Sequence, residues 1–198
     1  MRRLLYVSHP EVLVDPAVPV PRWGLSPVGA ERARRFATAT ALLDDVGSVW
    51  SSAETKARET AALLVADPPM EIYVRGDLGE LDRSATGYLP REEFERVADE
   101  CFAAPEDSVR GWERAVDAQT RTVRAVHAVL TDPRAAHGDV LVVGHGGVGT
   151  LLFCRVAGLP IAREHDQPGS GGNVLTFDLH EDSRLVPTGG WVPFEHVS

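Results

Sequence analysis

The sequence has few cysteines, no long apolar run and no excess of positive charge. Its two cysteines, Cys101 and Cys154, form no Cys-x-x-Cys pair, which excludes a disulfide framework and a zinc finger and is typical of a reducing cytosol. The apolar run at 4–7 is too short for a signal peptide, and the segment 148–159 is interrupted by Arg155 and cannot cross a bilayer. We therefore expect a cytoplasmic protein that has no membrane partner.

The charge balance limits the possible partners further. The chain has 20 Lys and Arg against 29 Asp and Glu, a formal net charge of -9. Proteins that bind nucleic acid concentrate positive charge, so this acidity argues against a nucleic-acid partner. A small-molecule anionic substrate remains compatible, because a pocket can be locally positive on an acidic protein. The composition leaves the oligomeric state open.

Strand and helix patterns alternate along a chain whose length of 198 residues suits one domain, 1–198. Strands are predicted at 4–7, 49–51, 72–74, 140–143, 173–179 and 184–186, and helices at 26–43, 54–66, 91–102, 108–130 and from Gly146 to about 157. This alternation predicts an α/β three-layer sandwich, a mostly parallel sheet with helices on both faces. The stretch at about 76–105 is predicted to form a small cap insertion.

Two histidines directly follow predicted buried strands. His9 comes after the first strand and His145 after the strand at 140–143. In an open α/β sheet, ligands bind outside the carboxyl ends of the strands. Histidine serves as a nucleophile and a proton carrier near neutral pH. We therefore expect His9 and His145 to face each other in one active pocket.

Short motifs surround these histidines in a fixed order. They are Ser8-His9-Pro10, Leu25-Ser26-Pro27-Val28-Gly29, a block from Ser51-Ser52 to Thr60-Ala61, Leu78-Gly79-Glu80, and the segment 140–152. This series resembles the histidine phosphatase (phosphoglycerate mutase-like) superfamily over about residues 3–180. Members of that family have Arg-His-Gly at the end of the first strand and Leu-Ser/Thr-x-x-Gly at the start of the first helix. The resemblance implies a phosphoglycerate mutase-like fold.

The resemblance also implies a role for each matching residue. His9 would attack phosphorus, Glu80 would protonate the leaving oxygen, and His145 with Gly146 and the following helix N-terminus would stabilise the transferring phosphoryl group. Lys56 would supply a fixed positive charge. The family mechanism uses no metal and no cofactor. The segment 75–106 is shorter than the insertion of the mutases, so the resemblance favours a phosphatase of a small phosphomonoester.

Two departures from the family pattern affect the predicted phosphate site. Ser8 and Lys56 stand where the family has arginines, and neither offers the bidentate fork of a guanidinium. Arg22 or Arg58 could compensate. Two alternatives therefore stay open: an enzyme with an altered pocket that acts on a less charged substrate or by non-phosphoryl chemistry, and a non-catalytic ligand-binding member.

The general acid has alternatives as well. Glu80 lies in a predicted loop, where a carboxylate is ordinarily solvated, and its assignment depends on its place between the motifs. Asp82 and Glu11 are nearby carboxylates that could take the same role.

Overall fold

The apolar runs of the sequence form a seven-stranded sheet in the computed structural model, which describes residues 2–197. The strands are β1 (Arg2–Ser8), β2 (Val46–Ser52), β3 (Ile72–Arg75), β4 (Asp139–Gly144), β5 (Asn173–Leu179), β6 (Leu185–Pro187) and β7 (Val192–Pro193). Their order is β3-β2-β4-β1-β5-β6, and β7 also pairs with β5. Strands β1 and β4 are neighbours, so their carboxyl ends lie side by side.

The sheet is mostly parallel. Strand β4 pairs in parallel with both β1 and β2, and β2 pairs in parallel with β3. Strand β5 runs antiparallel to β1, and β6 and β7 run antiparallel to β5. It follows that β5 alone among the seven strands runs in the opposite direction.

Helices cover both faces of this sheet. They are α1 (Pro27–Ala39), α2 (Thr55–Leu64), α3 (Arg91–Ala103), α4 (Ala115–Leu130) and α5 (Gly146–Ala157). Along β1, Leu4 and Tyr6 pack in the cluster that includes Val126 of α4, whereas Leu5 packs on the opposite face with Phe36 of α1. A strand that is buried on both faces needs apolar residues at every position, which explains the continuous apolar runs of the sequence. The predicted three-layer α/β architecture is confirmed.

Helix ends differ from the prediction where the backbone changes direction. The predicted N-cap of α1 is confirmed, since the Ser26 hydroxyl accepts a hydrogen bond from the Gly29 amide at 3.1 Å. The helix ends at Ala39 rather than 43, because the Thr40 side chain instead caps a short 3₁₀ turn at Ala41–Leu43. Helix α4 begins at Ala115 rather than 108, because Arg110 has a left-handed backbone with φ 54°. Strand β7 was not predicted.

The segment 76–105 lies over the carboxyl end of the sheet. Its helix α3 packs Val97 and Cys101 into a cluster with Trp112 and with Val148 and Leu151 of α5. This packing holds the segment against the helix that follows His145. Within residues 2–197, every helix is too short or too polar to cross a membrane.

Candidate active site

His9 and His145 come together at the carboxyl edge of the sheet, as predicted, but of the two only His9 lines the cavity described below. They follow the neighbouring strands β1 and β4, in which Ser8 is the partner of Gly144. The His9 amide donates to the Gly144 carbonyl at 3.2 Å. The two imidazole rings lie 5.3 Å apart between centroids and meet edge to face at 71°.

The surroundings of His9 fix both its tautomer and its charge. Its Nδ1 lies 2.8 Å from the Pro10 carbonyl oxygen, which can only accept, so Nδ1 carries the hydrogen. Burial, assisted by the charge of Lys56, lowers the pKa of His9 to about 4. The ring is therefore neutral at physiological pH, and Nε2 has a free lone pair.

His145 is fully buried beside His9. Its Nε2 lies 2.8 Å from the Ser52 hydroxyl and 3.4 Å from Oε1 of Glu54. Its Nδ1 is buried and has no hydrogen-bond partner within residues 2–197. Burial lowers the pKa of His145 well below 6.5 even though the Glu54 carboxylate opposes that shift. The ring is thus neutral and retains one unused polar atom.

Glu54 connects His145 to Lys56. The Glu54 carboxylate forms an ion pair with the Lys56 ammonium, which also donates to the Val20 carbonyl at 3.0 Å. Burial alone would raise the pKa of Glu54, but the charge of Lys56 and the hydrogen bonds from Lys56 and the Glu80 amide lower it below its ordinary value of 4.5. Lys56 is only 3% exposed, so its charge is already neutralised inside the protein.

Glu80 lies at the N-terminus of α5. Its carboxylate accepts hydrogen bonds from the amides of Gly147 at 3.1 Å, Val148 at 3.0 Å and Leu81 at 2.9 Å. Burial raises the pKa of Glu80 above its ordinary value of 4.5, against the effect of these amides. The sequence prediction left the helix N-terminus open for phosphoryl oxygens. In the structure two of its amides hold Glu80, because a carboxylate is itself stabilised there.

A cavity of about 280 Å³ opens beside His9. His9, Glu80 and Gly146 line this cavity together with a group of apolar residues, most of them from the segment 76–105. The apolar residues are Leu81, Phe94, Ala98, Cys101, Phe102 and Trp112. Arg83 and Arg163 also line the cavity, so it combines reactive side chains, apolar residues and two guanidinium groups.

Four predicted binding residues, Ser8, Lys56, Arg22 and Arg58, lie outside the lining of this cavity. The Ser8 hydroxyl accepts a hydrogen bond from the Asn173 amide at 3.1 Å, because Ser8 is buried in the β1–β5 pairing. Arg22 is exposed at the end of a short 3₁₀ turn. Arg58 is exposed on α2, in a surface groove that it shares with Glu59 and Ile72. The structure therefore does not bring Arg22 or Arg58 to His9 as replacements for the missing arginines.

The two alternative acids are also placed elsewhere. Glu11 is paired with Arg32 at 2.8 Å, and the exposed Asp82 accepts from the Ser84 amide at 2.8 Å. Of the three carboxylates considered, Glu80 is the one that lines the cavity.

The sequence analysis missed residues that reach the site through tertiary contacts. Arg83 follows Glu80 in the cap loop, and its guanidinium lies 4.6 Å above the Phe94 ring. The Gln167 side chain lies over Gly146, and a Cβ at Gly146 would lie 2.0 Å from Gln167 Nε2, so the present position of Gln167 depends on the glycine. Glu54 lies inside a recognised motif, at a position where the motif accepts any residue, so only its contacts reveal it.

The described residues offer no cluster of metal ligands. Within 2–197, no group of three or more His, Cys, Asp or Glu side chains is placed to hold a metal ion.

Comparison with known proteins identifies the family of the chain. Residues 20–187 match the family model of the histidine phosphatase superfamily (branch 1). None of the curated proteins matches the chain.

Several solved structures share the fold over nearly their whole length. A mycobacterial glucosyl-3-phosphoglycerate phosphatase in complex with inorganic phosphate has a TM-score of 0.77 and 21% identity, with 100% of both chains covered. Bacillus stearothermophilus YhfR has a TM-score of 0.78 and 20% identity, covering 95% of this chain and 96% of its own. Entamoeba histolytica phosphoserine phosphatase in complex with 3-phosphoglyceric acid has a TM-score of 0.71 and 16% identity, with 96% of each chain covered. The predicted phosphoglycerate mutase-like fold is thereby confirmed.

Proposed function

Because the chain belongs to branch 1 of the histidine phosphatase superfamily, we propose that it hydrolyses a small phosphomonoester through a phosphohistidine on His9. It is a divergent member, with Ser8-His9-Pro10 in place of Arg-His-Gly. The observation that carries the proposal is the state of His9. Its ring is neutral, Nδ1 is bound to the Pro10 carbonyl, and Nε2 is free on a residue that lines the cavity.

The first step transfers the phosphoryl group to the enzyme. The Nε2 lone pair of His9 forms a bond to phosphorus as the bond between phosphorus and the ester oxygen breaks. The leaving oxygen takes the proton of the Glu80 carboxyl group, whose raised pKa favours the protonated form. The alcohol leaves, and Glu80 remains as a carboxylate.

The second step releases phosphate. Water attacks phosphorus and gives a proton to the Glu80 carboxylate, while the electron pair of the N–P bond returns to Nε2 of His9. Both residues are then restored to their starting states. The carboxylate formed in the first step is stabilised by the amides of Gly147 and Val148, so it persists until water enters the site.

His145 supports both steps from beside His9. Glu54 lies 3.4 Å from Nε2 of His145 and favours a protonated ring once negative charge enters the pocket. The buried, unpartnered Nδ1 is the atom available for a phosphoryl oxygen.

The substrate proposed is a small anion, enclosed by the cap at about 76–105. Two of the similar structures contain inorganic phosphate and 3-phosphoglyceric acid, respectively. A cytoplasmic location belongs to the same proposal and is favoured by the two buried free thiols, Cys101 and Cys154.

One observation favours the rival interpretation, an altered pocket for a less charged substrate. Lys56 is neutralised by Glu54, so the site has less free positive charge than two arginines would give it. Competition by phosphate and vanadate separates the two functions. Strong inhibition supports the phosphatase, whereas hydrolysis of an uncharged ester without phosphate inhibition supports the rival.

The nucleophile is tested by His9→Ala. We expect this variant to keep its fold and to lose hydrolysis of 4-nitrophenyl phosphate, because no other group would accept the phosphoryl group. Acid-sensitive phosphoprotein should form in the wild type after rapid quenching and should be missing in the variant. His127→Ala, which removes an exposed histidine of α4, is the matched control. Turnover by His9→Ala at the wild-type rate would contradict the phosphohistidine mechanism.

A further inference from the structure

Two guanidinium groups line the cavity, and they differ in how they are paired. Arg163 lies 2.6 Å from the Glu95 carboxylate, 3.0 Å from Asp166 and 3.6 Å from Asp99. Its charge is therefore balanced by the protein. Arg83 forms no ion pair with any carboxylate in residues 2–197, and its closest aromatic contact is the Phe94 ring.

An unpaired guanidinium that is largely removed from water is costly unless something binds it. Burial lowers the pKa of Arg83, and the carboxylates of Glu80 and Glu54 only partly oppose that effect. The Phe94 ring stabilises the flat face of the group, 4.6 Å away, and leaves the N–H groups at its edge free. The group is thus held in place but lacks an anion.

The proposed reaction needs a cation that the other candidate residues do not supply. A phosphomonoester brings up to two negative charges into the cavity. Lys56 forms an ion pair with Glu54, and the Ser8 hydroxyl accepts a hydrogen bond from the Asn173 amide. Neither residue lines the cavity. Arg83 lines the cavity together with His9 and Glu80.

We propose that Arg83 binds the phosphoryl oxygens of the substrate, in place of the arginines that other family members have at the positions of Ser8 and Lys56. This inference rests on the proposed phosphatase function. The planar fork of Arg83 offers two parallel N–H groups to two oxygens of one phosphoryl group. This cation comes from the loop before α3, whereas the positions of Ser8 and Lys56 lie at the end of β1 and in α2.

The test measures binding as well as turnover. The dissociation constant of inorganic phosphate is measured by calorimetry for the wild type, Arg83→Gln, Arg83→Lys and the exposed control Arg58→Gln, together with the melting temperature of each. We expect Arg83→Gln to weaken phosphate binding by about 10- to 100-fold, the loss of one charged hydrogen-bonding group. Arg83→Lys should lie between the two, because it keeps the charge and loses the fork. The control should match the wild type.

The possible outcomes separate Arg83 from the rest of the mechanism. Equal phosphate affinity in wild type and Arg83→Gln overturns the role of Arg83, even if hydrolysis through His9 continues. If Arg83→Gln melts early, the well-folded Arg83→Lys variant decides, and an unchanged affinity there overturns the bidentate contact. If the protein hydrolyses no phosphomonoester but binds phosphate in a way that depends on Arg83, the proposed phosphatase function is overturned and the role of Arg83 in binding anions is supported. A wild type that does not bind phosphate overturns both.

Discussion

Glu54 and Glu80, which meet at one backbone hydrogen bond, have opposite acid–base properties. The Glu80 amide donates to Oε1 of Glu54 at 2.9 Å. The charge and hydrogen bond of Lys56, with the Glu80 amide, overcome burial and lower the pKa of Glu54, whereas burial prevails at Glu80 and raises its pKa. Such a separation assigns the roles in many enzymes. In the proposed mechanism Glu80 is therefore the proton carrier, and Glu54 stays a carboxylate throughout.

This assignment predicts how Glu80→Gln depends on the leaving group. An alkyl phosphate should lose about 10²- to 10⁴-fold in kcat/KM, because an alkoxide leaves poorly without a proton. 4-Nitrophenyl phosphate should lose far less, because its leaving group is stable as an anion. Asp82→Asn, an exposed carboxylate nearby, serves as the control. Equal losses for both substrates would show that Glu80 does not donate the proton.

At the scale of elements, helix α3 determines what the cavity accepts beside the phosphoryl group. Phe94, Ala98 and Phe102 of this helix face the cavity, whereas Val97 packs into the cluster beneath. These three side chains offer dispersion contacts to a leaving alcohol, and the carboxylate of Glu95, which also lines the cavity from this helix, is engaged by Arg163 at 2.6 Å. We therefore expect aromatic or aliphatic phosphomonoesters to be hydrolysed more efficiently than phosphorylated sugars.

Phe102→Ala tests this role of α3. Loss of the ring should raise KM for a phenyl phosphate by about tenfold and leave kcat nearly unchanged, because apolar contact stabilises ground state and transition state alike. KM for a small alkyl phosphate such as methyl phosphate should change little. Val97→Ala is the matched control, since it perturbs the same helix away from the cavity. If Phe102→Ala leaves the KM for phenyl phosphate unchanged, the apolar side chains of α3 do not contribute to substrate binding.

The elements that sequence patterns predicted well are those whose burial is local and continuous. Strand β4 is buried at each of its positions, so its run of apolar residues identified it directly. The start of α4 was wrong because Trp112 continues the apolar spacing although the chain around Arg110 and Gly111 is left-handed. A pattern of hydrophobic residues does not report such a change in backbone.

The site residues also divide into those that sequence patterns predicted and those that they did not. His9 and His145 were found because each follows a strand, and neighbouring strands bring their ends together. Arg83 could not be found, because its place depends on how the cap loop folds over Phe94. Arg22 and Arg58 lie near recognised motifs in sequence but face solvent. Proximity along the chain was a poor guide to side-chain direction.

At the scale of the whole molecule, the neutral histidines link stability to pH. Folding lowers the pKa of His9 from its ordinary value of 6.5 to about 4, and it lowers that of His145 as well. Below pH 6.5 the unfolded chain therefore binds protons that the folded chain does not bind. The free energy of unfolding should fall as the pH drops from about 6.5 to about 4, by up to about 1.4 kcal/mol per pH unit for each histidine.

Urea unfolding at a series of pH values, with wild type and His9→Gln compared, checks this linkage. Glutamine does not titrate, so the variant should lose less stability between pH 6.5 and pH 4 than the wild type does. His127→Gln, at an exposed position, should follow the wild type. Identical slopes for wild type and His9→Gln would mean that the His9 ring is protonated in the folded protein.

The ion pair of Glu54 and Lys56 has a consequence for how this chain can change. Glu54 also contacts His145 and accepts a hydrogen bond from the Glu80 amide, so three partners hold its carboxylate in place. Lys56→Arg would place the new guanidinium against the same carboxylate, where its charge would still be cancelled. One substitution at position 56 therefore does not give the site a free guanidinium. Positions 54 and 56 form a coupled unit in this chain, so the carboxylate at 54 must be changed as well.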